Sequence, residues 1–396
     1  MHLGIDAAAF RIPSAGIARY TLNITTSLAE LIPDLEVSFY SPGPIRAELP
    51  DPAWRTRVAN SRFGQPVAWW LHKTLPEQLA EDRVDVFWGH NHELPLRLRT
   101  RCWRMLTLHD LTSMVFPHLM PLGARLAARL FLRRAVAAAD LVLTDSAATA
   151  HLAVRLGLKM KRQQTVYPGL EQRFQPVPGH SVQKISQQYQ LPEQYLLTVG
   201  TIEPRKNHMT LFRALERLPH APLLVVVGSI GWQCARVVPA LRRLEAAGRV
   251  RYLGRVPDED MPGIYSAALL FVYPTIYEGF GLPVLEAMAC GCPVLCSWTS
   301  SLTEVAGPAA EYFPAEQDEI LAAQISRLVA DKPQRQKMAD LGRKRARLFR
   351  TGAAARAVLA ELGVVMGKKA GSACRSLPAG RFVTSQVCGS GSECAA

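Results

Sequence analysis

Short apolar runs of strand length alternate along this chain with longer stretches whose apolar residues recur at helical spacing. HLGID (2–6), VSFYSP (37–42), VDVFWG (84–89), RMLTLHD (104–110) and LVLTD (141–145) predict strands in the first half. QYLLTVG (194–200), LLVVVG (223–228), VRYLGRV (250–256), LLFVYP (269–274) and PVLCSW (293–298) predict strands in the second, QYLLTVG and LLFVYP being buried ones. Between them, IARYTLNITTSLAELI (17–32), WWLHKTLPEQLAE (69–81) and the segment after Ser146 keep helical stripes, and further helices are expected at 316–330 and 333–349. Residues 42–75 are largely irregular in pattern, and 175–192, polar and proline-bearing, suit an interdomain link. Alternating strand and helix predicts an α/β protein of two Rossmann-like units.

A length of 396 residues is comfortable for two domains, and 48% hydrophobic with 20% charged residues describes a globular protein. The amino terminus has no signal-peptide core and no stretch has spanning length, so a cytosolic or peripheral location is expected. Cys290, Cys292 and Cys296 lack zinc spacing and predict buried thiols, while Cys374, Cys388 and Cys394 fall in a Gly/Ser-rich tail expected to be disordered from about Gly367. The net charge of +13 calls for an anionic partner, yet no basic run is interleaved with aromatics as nucleic-acid binding would need. The bases instead sit at helical spacing, with Arg125, Arg129, Arg133 and Arg134 in LGARLAARLFLRRAVAAAD, then Lys159, Lys161 and Arg162. That pattern fits a helix on an anionic bilayer and, equally, a solvated surface helix.

Chemistry concentrates in residues 271–298. A strand runs into the loop YEGFG, Pro283 opens a helix that ends near Gly291, and a second strand follows. The amides of Gly279, Phe280, Gly281 and Leu282 would lie at an electropositive helix start short of acceptors, a seat for phosphate. Glu278 and Glu286 flank it and would repel phosphate unless they serve sugar hydroxyls; the plainer alternative is a glycine corner in an ordinary crossover. Gly279-Phe-Gly281 also begins a dinucleotide fingerprint, but Val284 stands where its third glycine belongs. Arg205 and Lys206, just past the strand QYLLTVG, oppose the dipole of the helix they precede and are badly placed unless an anion is there. His109-Asp110 ends a strand at the carboxyl edge of its sheet, where ligands of open α/β sheets gather. His90 and His92 could suggest a metal, but no third ligand is evident in the sequence; Ser146 is the N-cap of the helix after it rather than a nucleophile. Gly16 would stand at the start of the first helix, facing the cleft.

The spacing Glu278-(seven residues)-Glu286 in EGFGLPVLEAMACGCPV resembles the donor-site motif of the retaining glycosyltransferases of family 4, the glycosyltransferase group 1 type, which have the GT-B fold. TVGTIEPRKN (198–207), VVVGSIGW (225–232) and LGRVPDEDMPGIYSAA (253–268) extend the match, densely over 190–310 and thinly before. Departures are Thr201 where some relatives carry Arg, Pro168-Gly169 for Asn-Gly, Thr303 for Pro, and no Trp after Phe349. The resemblance implies residues 1–180 as the acceptor-side domain, 181–350 as the nucleotide-sugar domain, and a helix at 351–366 crossing back to the first. It implies that Arg205, Lys206 and the amides of 279–282 take the donor diphosphate and that Gly16 lets it approach. Glu278 would hold sugar hydroxyls, His109 the far side of the sugar, and Glu286 the ribose. It implies transfer with retention from a GDP- or UDP-sugar, mannosyl among the candidates, to a glycan or lipid-linked saccharide in cell-surface polysaccharide assembly. No Asp-x-Asp stands in a suitable loop, and no metal is expected. A GT-B epimerase or hydrolase, or a catalytically silent scaffold of the same fold, are the alternatives.

Overall fold

In the computed structural model, residues 1–11, 16–59, 65–90 and 92–365 are described; the expected disordered tail, with its cysteines, lies outside them. Seven parallel strands form the first sheet: β1 (His2–Asp6), β2 (Glu36–Ser41), β3 (Arg55–Val58), β4 (Val86–Gly89), β5 (Trp103–Leu108), β6 (Leu141–Thr144) and β7 (Gln163–Thr165). Their order is β3-β2-β1-β4-β5-β6-β7. Six parallel strands form the second: β8 (Tyr195–Val199), β9 (Leu223–Val227), β10 (Val250–Gly254), β11 (Leu270–Tyr273), β12 (Val294–Ser297) and β13 (Ala310–Phe313), in the order β10-β9-β8-β11-β12-β13. Each order reverses direction once, between β1 and β4 and between β8 and β11. At such a reversal the loops leaving the two strands diverge and open a crevice beyond their carboxyl ends.

Both faces of each sheet are covered, which is why the strands read as continuous apolar runs. Leu196 and Leu224 pack with Leu211 and Leu215 on one side of the second sheet. Leu197 and Val225 pack with Val284, Leu285 and Met288 on the other. Leu3 and Ile5 of the first sheet share a core with Ile24 and Leu28 of the Gly16–Leu31 helix. Ala355, Val358 and Leu362 of the Thr351–Val365 helix join that same core, so the chain's last described helix leaves the second sheet and returns to the first. A 2.6 Å ion pair between Arg162 and Glu361 ties its outer face down.

Two expectations need correction. The segment 175–192 is not a bare link: it contains the helix Gly179–Gln188, whose Ile185 is buried against Gly263. Within 42–75 the edge strand β3 forms, and the helical turn begins at Val67, passing through a wider turn at Trp70–Thr74 before Leu75–Glu81. Past the end of β4 at Gly89, His92 takes a left-handed backbone (φ 61°), and the His90 and His92 imidazoles each lie 6.1 Å from the His109 ring, centroid to centroid.

Candidate active site

The loops after β8 and β11, which flank the second sheet's reversal, are stitched together. The Arg205 carbonyl accepts from the Ile276 amide (2.9 Å) and from Thr275 Oγ1 (3.0 Å). Asn207, left-handed at φ 54°, donates its side-chain amide to the Pro274 and Ala315 carbonyls at 3.1 and 2.7 Å. These bonds fix Arg205 and Lys206 over the carboxylate of Glu278. Lys206 Nζ lies 2.7 Å from its Oε1 and Arg205 Nη1 2.8 Å from its Oε2; Tyr273 and Thr275 donate hydroxyls to Oε1 at 3.0 and 2.8 Å.

Burial opposes ionisation of Glu278, but the charges of Arg205 and Lys206 outweigh it and hold the carboxyl at about 2. Burial pulls the Lys206 ammonium down, with Glu278 pulling back. Glu203, also buried, forms a second partner of Arg205 at 2.8 Å. The sequence reading assigns Glu278 to sugar hydroxyls; in the structure its carboxylate is also the counter-ion of Arg205 and Lys206, because two buried cations require one in contact with them.

Beside this cluster the Leu282–Ala289 helix begins. Among the described residues, the amides of Gly279, Phe280, Gly281 and Leu282 donate no hydrogen bond, leaving the helix start open to an anion. The two glycines serve different needs. Gly281 takes φ 104°, a left-handed region that side chains avoid. Gly279 is crossed by the other half of the molecule: a Cβ there would stand 1.7 Å from the His109 carbonyl oxygen. Its own carbonyl accepts from Ser146 Oγ (2.7 Å) and Thr149 Oγ1 (3.2 Å). Ser146 also accepts from the Thr149 amide, the N-cap expected of it. Glu304 adds a second clasp, its carboxylate accepting from the Ala147 and Ala148 amides at 2.8 and 2.9 Å across the cleft.

On the first-sheet side, His109 Nδ1 lies 2.8 Å from Asp145 Oδ2, and the Tyr20 ring meets the imidazole edge-on at 5.0 Å. Burial pulls His109 down, but the charge and hydrogen bond of Asp145, with Asp110, leave it above its ordinary value. Among the described residues, His109 Nε2, Asp145 Oδ1 and both ring nitrogens of His90 are buried without a hydrogen-bond partner. Among the described residues no group of three His, Cys, Asp or Glu side chains could hold a metal ion.

Glu286, expected to hold ribose, has Oε1 2.7 Å from Arg19 Nη2 and Oε2 3.0 Å from the Tyr265 hydroxyl. Arg19 also reaches Glu171 (2.7 Å) and Asp258 (3.2 Å). Burial lowers the guanidinium, and the three carboxylates more than restore it. Arg19 lies in the first turn of the Gly16–Leu31 helix; Gly16 opens that helix, and among the described residues nothing stands within 4 Å of where its Cβ would be. The sequence reading missed Arg19, although a cation in a first turn is the same signal that singled out Arg205. It also missed Glu203 and Glu304, and weighed Asp145 only beside Ser146.

The glycosyl transferases group 1 family model matches residues 181–345, and the glycosyltransferase family 4 model matches residues 14–173. The chain is 31% identical over 358 residues to an O-antigen chain mannosyltransferase B of Escherichia coli, covering 86% of this chain and 93% of that protein. Among solved structures, a sucrose-phosphate synthase of Thermosynechococcus elongatus superposes with a TM-score of 0.77 at 22% identity, covering 92% of this chain and 99% of that one. The Anabaena HepE structure with UDP and glucose gives 0.72 at 18% identity, covering 92% and 100%. Two facing parallel sheets with a returning helix are thus the GT-B fold, and the chain belongs to the group 1, family 4 glycosyltransferases, enzymes that move a sugar from a nucleotide-sugar donor to an acceptor.

Proposed function

We propose that this enzyme transfers a hexosyl group, mannosyl from GDP-mannose, with retention of anomeric configuration. The acceptor is a glycan or lipid-linked saccharide in cell-surface polysaccharide assembly, met on the cytoplasmic face of a membrane. Residues 1–180 serve the acceptor and 181–350 the nucleotide sugar. What supports the reading most is the convergence of Arg205 and Lys206 with the undonated amides of Gly279, Phe280, Gly281 and Leu282. The mannosyl choice rests on similarity to the Escherichia coli mannosyltransferase.

Breaking the anomeric C–O bond puts negative charge on the departing phosphate and positive charge on the sugar. Fixed cations and amides meet the first need, each well-placed donor contributing on the order of 2–4 kcal/mol to the barrier. Gly16 lets the donor approach the first helix closely. Glu278 keeps Arg205 and Lys206 charged and aimed, and yields part of its counter-ion role to the diphosphate. Its carboxylate, held ionised, then lies beside the sugar. His109, held by Asp145, faces the sugar from the first sheet with Nε2 free to bond a hydroxyl. Glu286 offers its carboxylate to the ribose beside Arg19. Retention follows from same-face attack, the leaving phosphate taking the acceptor's proton.

Thermal-shift titration with GDP-, UDP- and dTDP-sugars tests this, since a specific ligand raises stability with the logarithm of its concentration over Kd. GDP-mannose should stabilise most and, with acceptor, yield GDP. Stabilisation by none of these donors would reject the reading.

A further inference from the structure

The chain passes between its two halves twice, and the crossings lie side by side: the Leu170 amide donates to the Phe349 carbonyl (2.8 Å), and Leu170 and Arg350 form an isolated parallel bridge. At this hinge opens a groove of about 1210 Å³. Five bases line it: Arg173 of the first crossing, Arg343 and Arg347 at the end of the Lys332–Ala346 helix, Arg350 just before the Thr351–Val365 helix, and Arg356 within it. The acids that line it are Glu30, exposed, and Glu171. Arg343 and Arg347 suit the carboxyl end of their helix, but Arg350, at the amino end of the next, stands against its dipole. Among the described residues, Arg347, Arg350 and Arg356 form no ion pair. Another wall is the Gly16–Leu31 helix, which turns Asn23, Thr26, Ser27 and Glu30 to the groove at the spacing of one helix face. Thr21 and Thr25 return their hydroxyls to the helix's own carbonyls at 2.8 Å, whereas the side chains of Asn23, Thr26 and Ser27 bond nothing among the described residues.

We propose that this groove is a second binding site, apart from the transfer cleft, for a saccharide that bears phosphate, and that filling it strengthens the hold on nucleotide sugar. Clustered guanidiniums without counter-ions offer forked donors to phosphate oxygens. Beside them, a stripe of free hydroxyl and amide groups matches the hydroxyls of a sugar. A nucleotide base would want an open aromatic face, but the rings that line the groove, Phe174 and Phe349, are only 5% and 7% exposed. The volume lies above the roughly 300–1,000 Å³ of small-molecule sites, so the groove has room for an oligosaccharide. The route to the donor runs through Glu171. Its Oε2 takes Arg173 (2.5 Å) and its Oε1 takes Arg19 (2.7 Å), which in turn holds Glu286 (2.7 Å). Phosphate that draws Arg173 away leaves Glu171 to Arg19 alone, and Arg19 then relaxes its grip on Glu286, the carboxylate offered to ribose. A narrow gap bounded by Asn23, Leu170, Glu171 and Phe174, all of which line the groove, continues to Leu282 and Glu286. The relay rests on the proposed ribose role of Glu286; the site itself does not.

Calorimetry on the full chain tests the site, with four probes: a mannose trisaccharide carrying one phosphate monoester, the same trisaccharide without phosphate, mannose phosphate, and inorganic phosphate. The phosphorylated trisaccharide should bind at least about tenfold more tightly than any of the others. Arg350→Gln with Arg356→Gln should weaken it by on the order of tenfold or more and keep the wild-type melting temperature. Asn23→Ala with Ser27→Ala should erase its advantage over mannose phosphate. With the groove saturated, the Kd of the nucleotide sugar that stabilises the protein most should fall severalfold, and Glu171→Gln should abolish that gain. Absence of binding, equal binding of inorganic phosphate, tighter binding of a single-stranded oligonucleotide, or binding unchanged in the arginine variant would overturn the inference. So would competition between the phosphorylated trisaccharide and nucleotide sugar, which would put both in the transfer cleft. Binding that leaves nucleotide-sugar affinity unchanged would overturn the relay through Glu171. A protein that binds the phosphorylated trisaccharide as described but is stabilised by no nucleotide sugar would instead sink the proposed function and leave the groove standing.

Discussion

The two sides of the cleft solve opposite electrostatic problems. On the second-sheet side, Arg205, Lys206, Glu203 and Glu278 are buried or nearly so, and each is paired. On the first-sheet side, the ring nitrogens of His90 and one atom each of His109 and Asp145 are buried without a hydrogen-bond partner among the described residues. A paired cluster is rigid and holds its geometry before any ligand arrives, whereas an unpaired buried polar atom costs stability unless something satisfies it. The difference fits a diphosphate that is the same in every donor and an acceptor whose hydroxyls differ from enzyme to enzyme. Gly279 marks the closest approach of the two sides at the cleft's seam, with the Glu304 and Arg19 contacts around it.

The harshest way to break the comparison is at that seam. Gly279→Ala puts a methyl group 1.7 Å from the His109 carbonyl, so the two sides must separate. Transfer should fall by at least about a thousandfold, since misplacing the groups by an ångström already costs on the order of a hundredfold. Small-angle scattering should show a more open molecule with the fold retained. Next comes Lys206→Ala, expected to lower kcat by roughly a hundred- to a thousandfold while circular dichroism stays unchanged. Unaltered turnover there would count heavily against the donor-side assignment.

Asp145→Asn probes the first-sheet side. The Asp145 charge holds His109 above its ordinary value, so removing it lets His109 lose its proton at lower pH. The limb of the pH–rate profile that reports His109 should move down, with kcat reduced by about ten- to a hundredfold. Acid titration sharpens the second-sheet side. Glu278 is depressed from 4.5 to about 2, so its contribution is fully present above the unfolded value and is lost as pH falls from 4.5 toward 2. That contribution is on the order of 3 kcal/mol, and in Glu278→Gln the loss of stability over this window should flatten. The smallest effect belongs to Glu304→Gln, which weakens the clasp on the Ala147–Arg155 helix by about 1 kcal/mol, read as a higher KM with little change in kcat.

How far the sequence revealed this molecule depends on where each residue sits. Strands buried on both faces, such as β8, β9 and β11, announce themselves as apolar runs. The edge strands β3 (RTRV) and β7 (QQT) do not, because an edge is kept polar and short to discourage pairing. The convergence of residues 205–206 on 278–286 was legible because both loops follow strands beside one reversal of sheet order. The bonding of Glu278 was not, since its partners Tyr273 and Thr275 look like ordinary strand-end residues. Arg19 and Glu304 reach across to the opposite half, and pairs so distant in sequence leave no local pattern. The gathering of His90 and His92 around His109 joins the ends of two neighbouring strands, β4 and β5, and no local pattern announces which strands are neighbours.

The central claim is that positively charged side chains and unoccupied main-chain donors of the second half hold a pyrophosphate. Calorimetry comparing GDP with GMP, and UDP with UMP, measures it directly in the wild type and in Arg205→Ala/Lys206→Ala. The wild type should prefer the matching diphosphate by on the order of a hundredfold, and the double variant should bind mono- and diphosphate almost alike. A double variant that keeps the full preference for diphosphate would contradict the account.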